Sequence, residues 1–288
     1  MAEISAGDVM KLRKMSGQGM MDCKKALAET GGSVDDAMTL LRKKGLATMA
    51  KRADRETTEG RVVICECDGG KTVAMGTLCC ETDFVSKNDD FIATADSLKS
   101  YMCSCTSDNG AEALAGTEVD GKKFSEIITD YVSKTGEKTE IGDYAKFIVA
   151  GAGVVGSYIH FNGKIGTMVE IETSDDNVAG NDDMKALAVD IAMHIAAINP
   201  AGLDESSVDP ETIAKEKEIA AEQVKNKPAE IIDKIVEGKM RKFFADNCLV
   251  HQGFVKDEKT PVNKVVDEAA KKAGGTAKIK RFVRFAIG

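Results

Sequence analysis

The sequence has only three histidines, no excess of basic residues and no long apolar run. Its 288 residues include 47 Asp and Glu against 39 Lys and Arg, which gives a formal net charge of −8. A protein that binds nucleic acid is normally basic or has a basic face, so we expect no nucleic-acid partner. No apolar run approaches the ~18 residues that a helix needs to cross a bilayer, so we expect no membrane partner.

The N-terminus also lacks the features of a targeting signal. Residues Met1-Ala2-Glu3-Ile4-Ser5 show neither a charged segment followed by an apolar one nor the Arg-rich character of a transit peptide. We therefore expect the protein to stay in the cytoplasm.

The motifs of the common catalytic sites are missing as well. The sequence contains no G-x-S-x-G, no P-loop, no Rossmann glycine signature and no H-E-x-x-H. His194 lies on a predicted helix among apolar residues, which is typical of a hydrogen-bonded core histidine. The acidic pairs Asp89-Asp90 and Asp182-Asp183 open predicted helices, where the helix dipole favours them. We expect neither enzyme activity nor a cofactor.

Eight cysteines raise the question of a metal site. Cys65 and Cys67 lie in a predicted strand with one residue between them, so both face the same side of a sheet. Structural zinc sites more often have two to four residues between paired cysteines in a loop, and that spacing is absent. We expect no bound metal, and a metal- or thiol-dependent enzyme is the weaker alternative.

Residues 1–52 predict three short helices in a small bundle. Ser5 is suited to cap the first helix, which ends near Gly17, and the second helix covers about residues 20–29. Gly45 is placed to end the third helix, because glycine is common just after a helix C-terminus. Bundles of this kind resemble the ubiquitin-associated fold, which usually serves to dock a partner.

The rest of the sequence predicts a core with a repeated strand-strand-helix unit. An Asp-Gly turn joins the strands of the first hairpin and an Asn-Gly turn joins those of the second. The predicted strands are residues 61–67, 71–80, 157–161 and 164–169. An amphipathic helix follows each hairpin. We therefore predict an α+β protein whose core has two related half-domains, 53–152 and 153–288.

Between residues 209 and 246 the pattern becomes helical and highly charged. Asp209 is suited to cap a helix that has Pro210 at its first position, and Asn226-Lys227-Pro228 interrupts the helical pattern. Two helices with a short break between them predict an antiparallel helical hairpin that forms an arm. Such an arm serves as a spacer, or as a surface for another protein or a second copy of the chain.

The most informative motif is Thr82-Asp83-Phe84-Val85, which follows an apolar run that predicts a buried strand. A phenylalanine beside a carboxylate in a polar turn is typical of an anchor in a protein–protein interface. The alternative is that Phe84 turns back into the core. The second half-domain has Thr173-Ser174-Asp175-Asp176-Asn177 at the corresponding place, without an aromatic residue. The motif therefore predicts a binding site in the first half-domain alone.

Two segments together resemble the elongation factor Ts family, whose members are nucleotide exchange factors for the GTPase elongation factor Tu. One is E-T-D-F-V-S-K-N at residues 81–88, and the other is L-R-K-M-S-G-Q-G-M-M-D-C-K-K-A-L at residues 12–27. The likeness continues in the family's order to the end of the sequence. It implies an N-terminal ubiquitin-associated-like bundle, a core of two related half-domains and a helical hairpin arm.

The resemblance also implies how the chain acts. Residues Thr82, Asp83, Phe84 and Val85 are implied to insert beside the nucleotide site of elongation factor Tu, where they displace Mg²⁺. Lys24 is implied to dock the bundle on the GTPase. Further contacts with the GTPase are implied for Gly136, His160, Phe254 and Val255. A non-catalytic adaptor that docks through its N-terminal bundle is the alternative function.

Overall fold

The computed structural model describes residues 4–225 and 227–288 and combines helices with strands. Met1, Ala2 and Glu3, which belong to the segment predicted to lack a targeting signal, lie outside these residues. So does Asn226, which belongs to the predicted break between two helices. The helices are α1 Ala6–Ser16, α2 Met20–Glu29, α3 Val34–Lys51, α4 Asp83–Ser86, α5 Asp89–Ser104, α6 Ala111–Gly116, α7 Phe124–Thr135, α8 Asp176–Gly180, α9 Asp182–Ile198, α10 Pro210–Glu222, α11 Ala229–Asn247 and α12 Val262–Lys272. The strands are β1 Glu59–Cys67, β2 Thr72–Cys80, β3 Glu118–Val119, β4 Lys122–Lys123, β5 Thr139–Ile148, β6 Gly153–Ile159, β7 Ile165–Thr173, β8 Gly253–Phe254, β9 Asp257–Pro261 and β10 Ala277–Ala286. This mixture is compatible with the predicted α+β class.

Contacts between residues group the chain into two compact units. The first consists of Met1–Cys65, Ala74–Lys146 and Phe285–Gly288. The second consists of Glu66–Val73 and Phe147–Arg284. The three N-terminal helices and α4 therefore belong to the first unit, and the charged helices α10 and α11 belong to the second.

Local capping sets the ends of the N-terminal helices. The Ser5 Oγ accepts the N–H of Asp8 at 3.1 Å and so caps α1. Gly17 ends the same helix with a φ of +67°, a conformation that glycine adopts without strain. The helices then pack around one apolar cluster, whose buried members are Val9, Leu12, Cys23, Ala26, Leu27, Ala37 and Leu41. The predicted beginning and end of the first helix are confirmed.

Gly45 lies inside α3 and not at its end, so the predicted end of the third helix is wrong. A Cβ atom at this position would lie 2.8 Å from the carbonyl oxygen of Thr129 on α7. One turn away, the Ser133 Oγ donates a hydrogen bond to the carbonyl oxygen of Leu41 at 3.1 Å. Glycine is required here because α3 and α7 approach each other closely. The N-terminal helices are thereby fastened to the rest of the first unit.

The sheet of the first unit has β2 in the centre, between β1 and β5. All nine residues of β2 are buried, so the prediction of a buried strand before the Thr82 motif is confirmed. Helices α5 and α7 supply large side chains to the core around this strand, which includes Leu78, Phe91, Leu98, Met102, Phe124 and Val132. A strand buried along its whole length gives the following turn a rigid base.

The second unit contains a three-stranded sheet with β7 between β6 and β10. Strands β6 and β7 are antiparallel, with Tyr158 opposite Thr167. Helix α9 packs so closely on β6 that a Cβ on Gly156 would lie 2.1 Å from the Ala188 carbonyl oxygen. The Thr167 Oγ1 donates to the carbonyl oxygen of Ala192 at 2.7 Å. This packing fixes α9 against the sheet and determines where its later residues lie.

The charged stretch after residue 209 forms α10 and α11. Asp209 caps α10, since its Oδ2 accepts the N–H of Thr212 at 3.0 Å, and Pro210 is the first helical residue. An apolar cluster lies between the two helices, and its buried members are Ala220, Val224, Val236 and Met240. Among the described residues, no helix is both long enough and apolar enough to cross a membrane.

Candidate functional site

The 82–85 turn directly follows the buried strand β2 and forms the short helix α4 with its cap. Thr82 has an extended backbone and is the N-cap, and its Oγ1 accepts the N–H of Val85 at 3.4 Å. The same hydroxyl donates to the carboxylate of Glu137 at 3.0 Å. Val85 is partly buried and packs against the core of the first unit. The hydrogen bonds of Thr82 and the packing of Val85 therefore hold the turn in place.

Phe84 points away from this support into solvent. Its exposed fraction is 84%, so the alternative in which it packs into the core is wrong. A phenylalanine left in water gives up the favourable free energy of burying its ring. Burying this ring in a partner recovers that free energy, which is typical of an interface anchor.

Asp83 lies beside Phe84 and is also accessible. Its Oδ2 accepts a hydrogen bond from the Lys87 ammonium at 2.7 Å, one helical turn further on. This hydrogen bond and the positive charge of Lys87 hold the pKa of Asp83 below its usual range. The side chain is therefore a carboxylate at neutral pH. An exposed ion pair of this kind is weak, so a cation on a partner can replace Lys87.

Glu81 fastens the base of the turn to a second loop. Its carboxylate accepts hydrogen bonds from the Arg52 guanidinium at 2.8 Å and from the backbone N–H of Lys138 at 2.6 Å. Burial alone would raise the pKa of Glu81, but these hydrogen bonds and the charge of Arg52 lower it below its usual range. Together with the Thr82–Glu137 bond, they join the loop after α7 to the 82–85 turn.

Gly136 belongs to this second loop. It follows α7 with a φ of +73°, and its N–H donates to the Val132 carbonyl oxygen at 2.8 Å. No atom lies within 4 Å of the place where a Cβ would stand, so the residue borders open space. The structure thus brings Gly136 close to the 82–85 turn, within the first unit.

Lys24 lies on the bundle and not at the turn. It is exposed on α2, while the neighbouring Cys23, Ala26 and Leu27 face the core of the bundle. Met20 and Met21 on the same helix are also exposed. Methionine side chains adapt to irregular surfaces and are common in binding faces. The exposed part of α2 therefore offers a positive charge next to flexible apolar side chains.

In the second unit, His160 lies at the end of the β6–β7 hairpin. It is partly buried, and its Nδ1 is 3.3 Å from the Tyr158 hydroxyl. The ring of Phe161 lies 4.3 Å from the His160 ring, centroid to centroid, and Phe161 is 92% exposed. Phe161 was not among the predicted surface residues. The signal was its place beside an Asn-Gly turn, because the tip of a two-stranded hairpin has little core to enter.

Phe254 and Val255 face in opposite directions. Phe254 is only 5% exposed and packs in the core of the second unit, whereas Val255 is 42% exposed. The Val255 N–H donates to the Nδ1 of His194 at 3.2 Å. His194 itself is fully buried and hydrogen-bonded to Gln252, which confirms its prediction as a core histidine. Only Val255 of this pair presents its side chain to solvent.

A family model described as "Elongation factor TS" matches residues 81–288 of the chain. The chain belongs to the elongation factor Ts family. It is 44% identical over 287 residues to elongation factor Ts of a Nitratiruptor species, a match that covers 99% of this chain and 93% of that relative. The identity to elongation factor Ts of Clostridium botulinum (strain Alaska E43 / Type E3) is 42%, with the same two coverages.

The likeness also spans the N-terminal helices. Elongation factor Ts of Chlorobaculum tepidum is 40% identical over 293 residues, and that match covers both chains completely. The family model begins at Glu81, directly before the 82–85 turn. The turn, the loop at Gly136 and the tip at His160 therefore all lie in the part of the chain that the elongation factor Ts model matches.

Proposed function

We propose that this member of the elongation factor Ts family promotes GDP release from elongation factor Tu by inserting Phe84 beside the nucleotide site, with Asp83 next to it. Nucleotide exchange in translation elongation is the function of the family to which the chain belongs. The observation that supports these two roles is the exposure of the Phe84 ring, which is 84% exposed on a turn that is capped and held by hydrogen bonds.

Rigidity of the turn supports its role as an inserting element. The Thr82 hydroxyl accepts a hydrogen bond from the N–H of Val85 and donates one to the carboxylate of Glu137, and Val85 packs on the core. A side chain that is held in place before binding loses little conformational entropy on binding. Phe84 and Asp83 thus enter a partner as one unit, and the free energy of burying the ring is available to disturb the partner's site.

Exchange follows from coupling between the binding of nucleotide and the binding of this protein to the GTPase. GDP and Mg²⁺ hold the phosphate-binding loop and the switch regions of a GTPase in one geometry. A protein that binds best when this geometry is disturbed weakens nucleotide binding by the same factor by which the nucleotide weakens the protein's binding. In the proposal, Phe84 moves the elements that hold Mg²⁺, and the Asp83 carboxylate lies next to the site of that ion. No covalent step is involved, so the chain acts by binding and not as an enzyme.

The remaining contacts are proposed for residues at the surface of each unit. In the first unit these are Lys24 on α2 and Gly136 beside the turn. In the second unit they are His160, with Phe161 next to it, and Val255. Phe254 is buried, so its role in the proposal is to hold Val255 in position.

The domain plan of the family is proposed for this chain too. Residues 1–52 are assigned to a ubiquitin-associated-like bundle, 53–152 and 153–288 to two related half-domains, and 209–246 to a helical hairpin arm. One parallel supports the duplication. Asn88 and Asn181 each cap the long helix of their unit, and each Oδ1 accepts the N–H two residues ahead at 2.9 Å.

The proposed setting is the cytoplasm, with elongation factor Tu as partner and without nucleic acid, membrane or cofactor. The arm is the segment to which we assign self-association of the chain. Its two helices share an apolar cluster that includes Val236 and Met240, while Ile219 and Ile231 on the same helices are exposed.

The test is the release rate of a fluorescent GDP from elongation factor Tu, with this protein at substoichiometric amounts. Catalytic acceleration is the expected result, because each molecule of an exchange factor acts on many GTPase molecules. A stable complex without acceleration would support the adaptor function in its place. Absence of any complex would reject both functions.

A further inference from the structure

A buried histidine in the second unit holds the segment that carries Val255. His194 on α9 has no exposed surface, yet both of its ring nitrogens have partners. Its Nδ1 lies 3.2 Å from the backbone nitrogen of Val255, and its Nε2 lies 3.0 Å from the Oε1 of Gln252. A buried imidazole with two partners is fixed in both position and rotation.

The partners determine which nitrogen carries the proton. A backbone N–H can only donate, so the Nδ1 of His194 is the acceptor and is unprotonated. The proton therefore lies on Nε2, which donates to the Oε1 of Gln252. The amide of Gln252 is oriented accordingly, because its Nε2 donates to the carbonyl oxygen of Asp246 at 2.9 Å. The ring is thus neutral, with one donor and one acceptor, and burial lowers its pKa in agreement with this state.

Gln252 connects this pair to the neighbouring elements. Its side chain reaches Asp246 near the end of α11, and its backbone carbonyl oxygen accepts the N–H of Val262 at the start of α12 at 3.0 Å. Its own N–H donates to the Cys248 carbonyl oxygen at 3.1 Å. Residues 253–255 therefore follow a residue, Gln252, that is held by three hydrogen bonds to neighbouring elements. The segment is held again at its other end by the hydrogen bond of the Val255 N–H.

This double attachment sets the direction of two consecutive side chains. Phe254 enters the core, where its ring centroid lies 6.1 Å from that of His194, and Val255 turns to solvent. The next residue, Lys256, forms an ion pair with Asp190 of α9 at 2.6 Å. The exposed position of Val255 is thus a consequence of buried polar bonds and not of chance at the surface.

We infer that His194 is a positioning residue for binding the GTPase: through its bond to the Val255 N–H, it holds residues 253–255 so that Val255 is presented to the partner. The inference rests on the proposed function, in which Val255 contacts elongation factor Tu. Holding the segment before binding removes the entropy loss that ordering it would otherwise add to association.

Two substitutions of His194 separate positioning from simple packing. In His194→Asn, the amide oxygen stands where Nδ1 stood and still accepts the Val255 N–H, but the bond to Gln252 is lost. In His194→Gln, the longer amide still reaches Gln252, but the Val255 N–H loses its acceptor. Both variants remove the ring and one hydrogen bond, so we expect similar falls in melting temperature.

The measurement is binding to elongation factor Tu·GDP together with acceleration of GDP release. We expect about fivefold weaker binding for His194→Gln, which corresponds to one neutral hydrogen bond, and binding within about twofold of wild type for His194→Asn. In a Val255→Ala background, His194→Gln should have no further effect on binding. Equal losses for both single variants, or an undiminished loss in that background, would overturn the inference.

Amide hydrogen exchange at Val255 in the protein alone gives a second readout. Protection should be lost in His194→Gln and kept in His194→Asn, and the opposite pattern would overturn the inference. If the histidine variants do not fold, Val255→Ala changes only an exposed side chain, and unaltered binding in that variant would also overturn it. A wild-type protein that neither binds the GTPase nor releases GDP would reject the proposed function itself, whatever the variants show.

Discussion

Replacing Phe84 by alanine separates an effect on binding from an effect on folding. The ring is 84% exposed, so its removal takes no side chain out of the core. Surface substitutions of this kind change the free energy of unfolding by about 0.5 kcal/mol or less. An aromatic anchor at the centre of an interface contributes about 2 kcal/mol or more to binding. The two expected effects therefore differ by at least a factor of four.

The loss in binding translates into a measurable rate. A change of about 2 kcal/mol corresponds to about 30-fold weaker interaction with the GTPase. We expect stopped-flow release of fluorescent GDP to require about 30-fold more Phe84→Ala than wild-type protein for the same acceleration, or to saturate at a lower rate. Thermal unfolding followed by circular dichroism should give the same melting temperature within about 2 °C.

Ile198→Ala provides the matched control. Ile198 is an exposed apolar residue at the end of α9 in the second unit, and its truncation removes apolar surface without touching the 82–85 turn. We expect wild-type exchange rates for this variant. Wild-type exchange by Phe84→Ala itself, or an unfolded Phe84→Ala protein, would refute the reasoning about the anchor.

Three further predictions concern titratable groups. Asp83→Asn should slow GDP release several-fold, whereas Lys87→Ala, which leaves the carboxylate in place, should not; equal effects in the same assay would show that only the ion pair matters. Burial lowers the pKa of His194, so below about pH 6.5 the unfolded chain takes up the proton first and the free energy of unfolding falls as the pH is lowered. Urea unfolding at pH 7.5 and 5.5 should show this fall in wild type and a smaller one in His194→Asn; parallel curves would contradict it. Glu81→Gln should lower the melting temperature by about 2–4 °C through weaker bonds to Lys138 and its neighbours, and an unchanged value would show that these bonds are dispensable.

Local signals in the sequence predicted the positions of several helices and strands. Ser5 and Gly17 bound α1 as expected, because capping depends only on adjacent residues. The apolar run before Thr82 became the buried strand β2, since a fully apolar run can only be satisfied inside a core.

Features that depend on contacts between residues far apart in the sequence could not be predicted from the sequence. Gly45 looked like a helix end, but the reason for glycine there is the backbone of α7, more than eighty residues away. The bond between Thr82 and Glu137 has no sequence signature either, because it joins a turn to a loop that follows another helix. Phe254 and Val255 could not be told apart as buried and exposed, since their directions depend on His194.

The bonds of Glu81 and Thr82 to residues 137 and 138 have a consequence for kinetics. They hold Phe84 and Gly136 at a fixed spacing, so a partner that has engaged one meets the other at a high effective concentration. The second contact then forms without a further diffusional encounter. Weakening the loop at Gly136 should therefore shorten the lifetime of the complex while leaving its rate of formation almost unchanged.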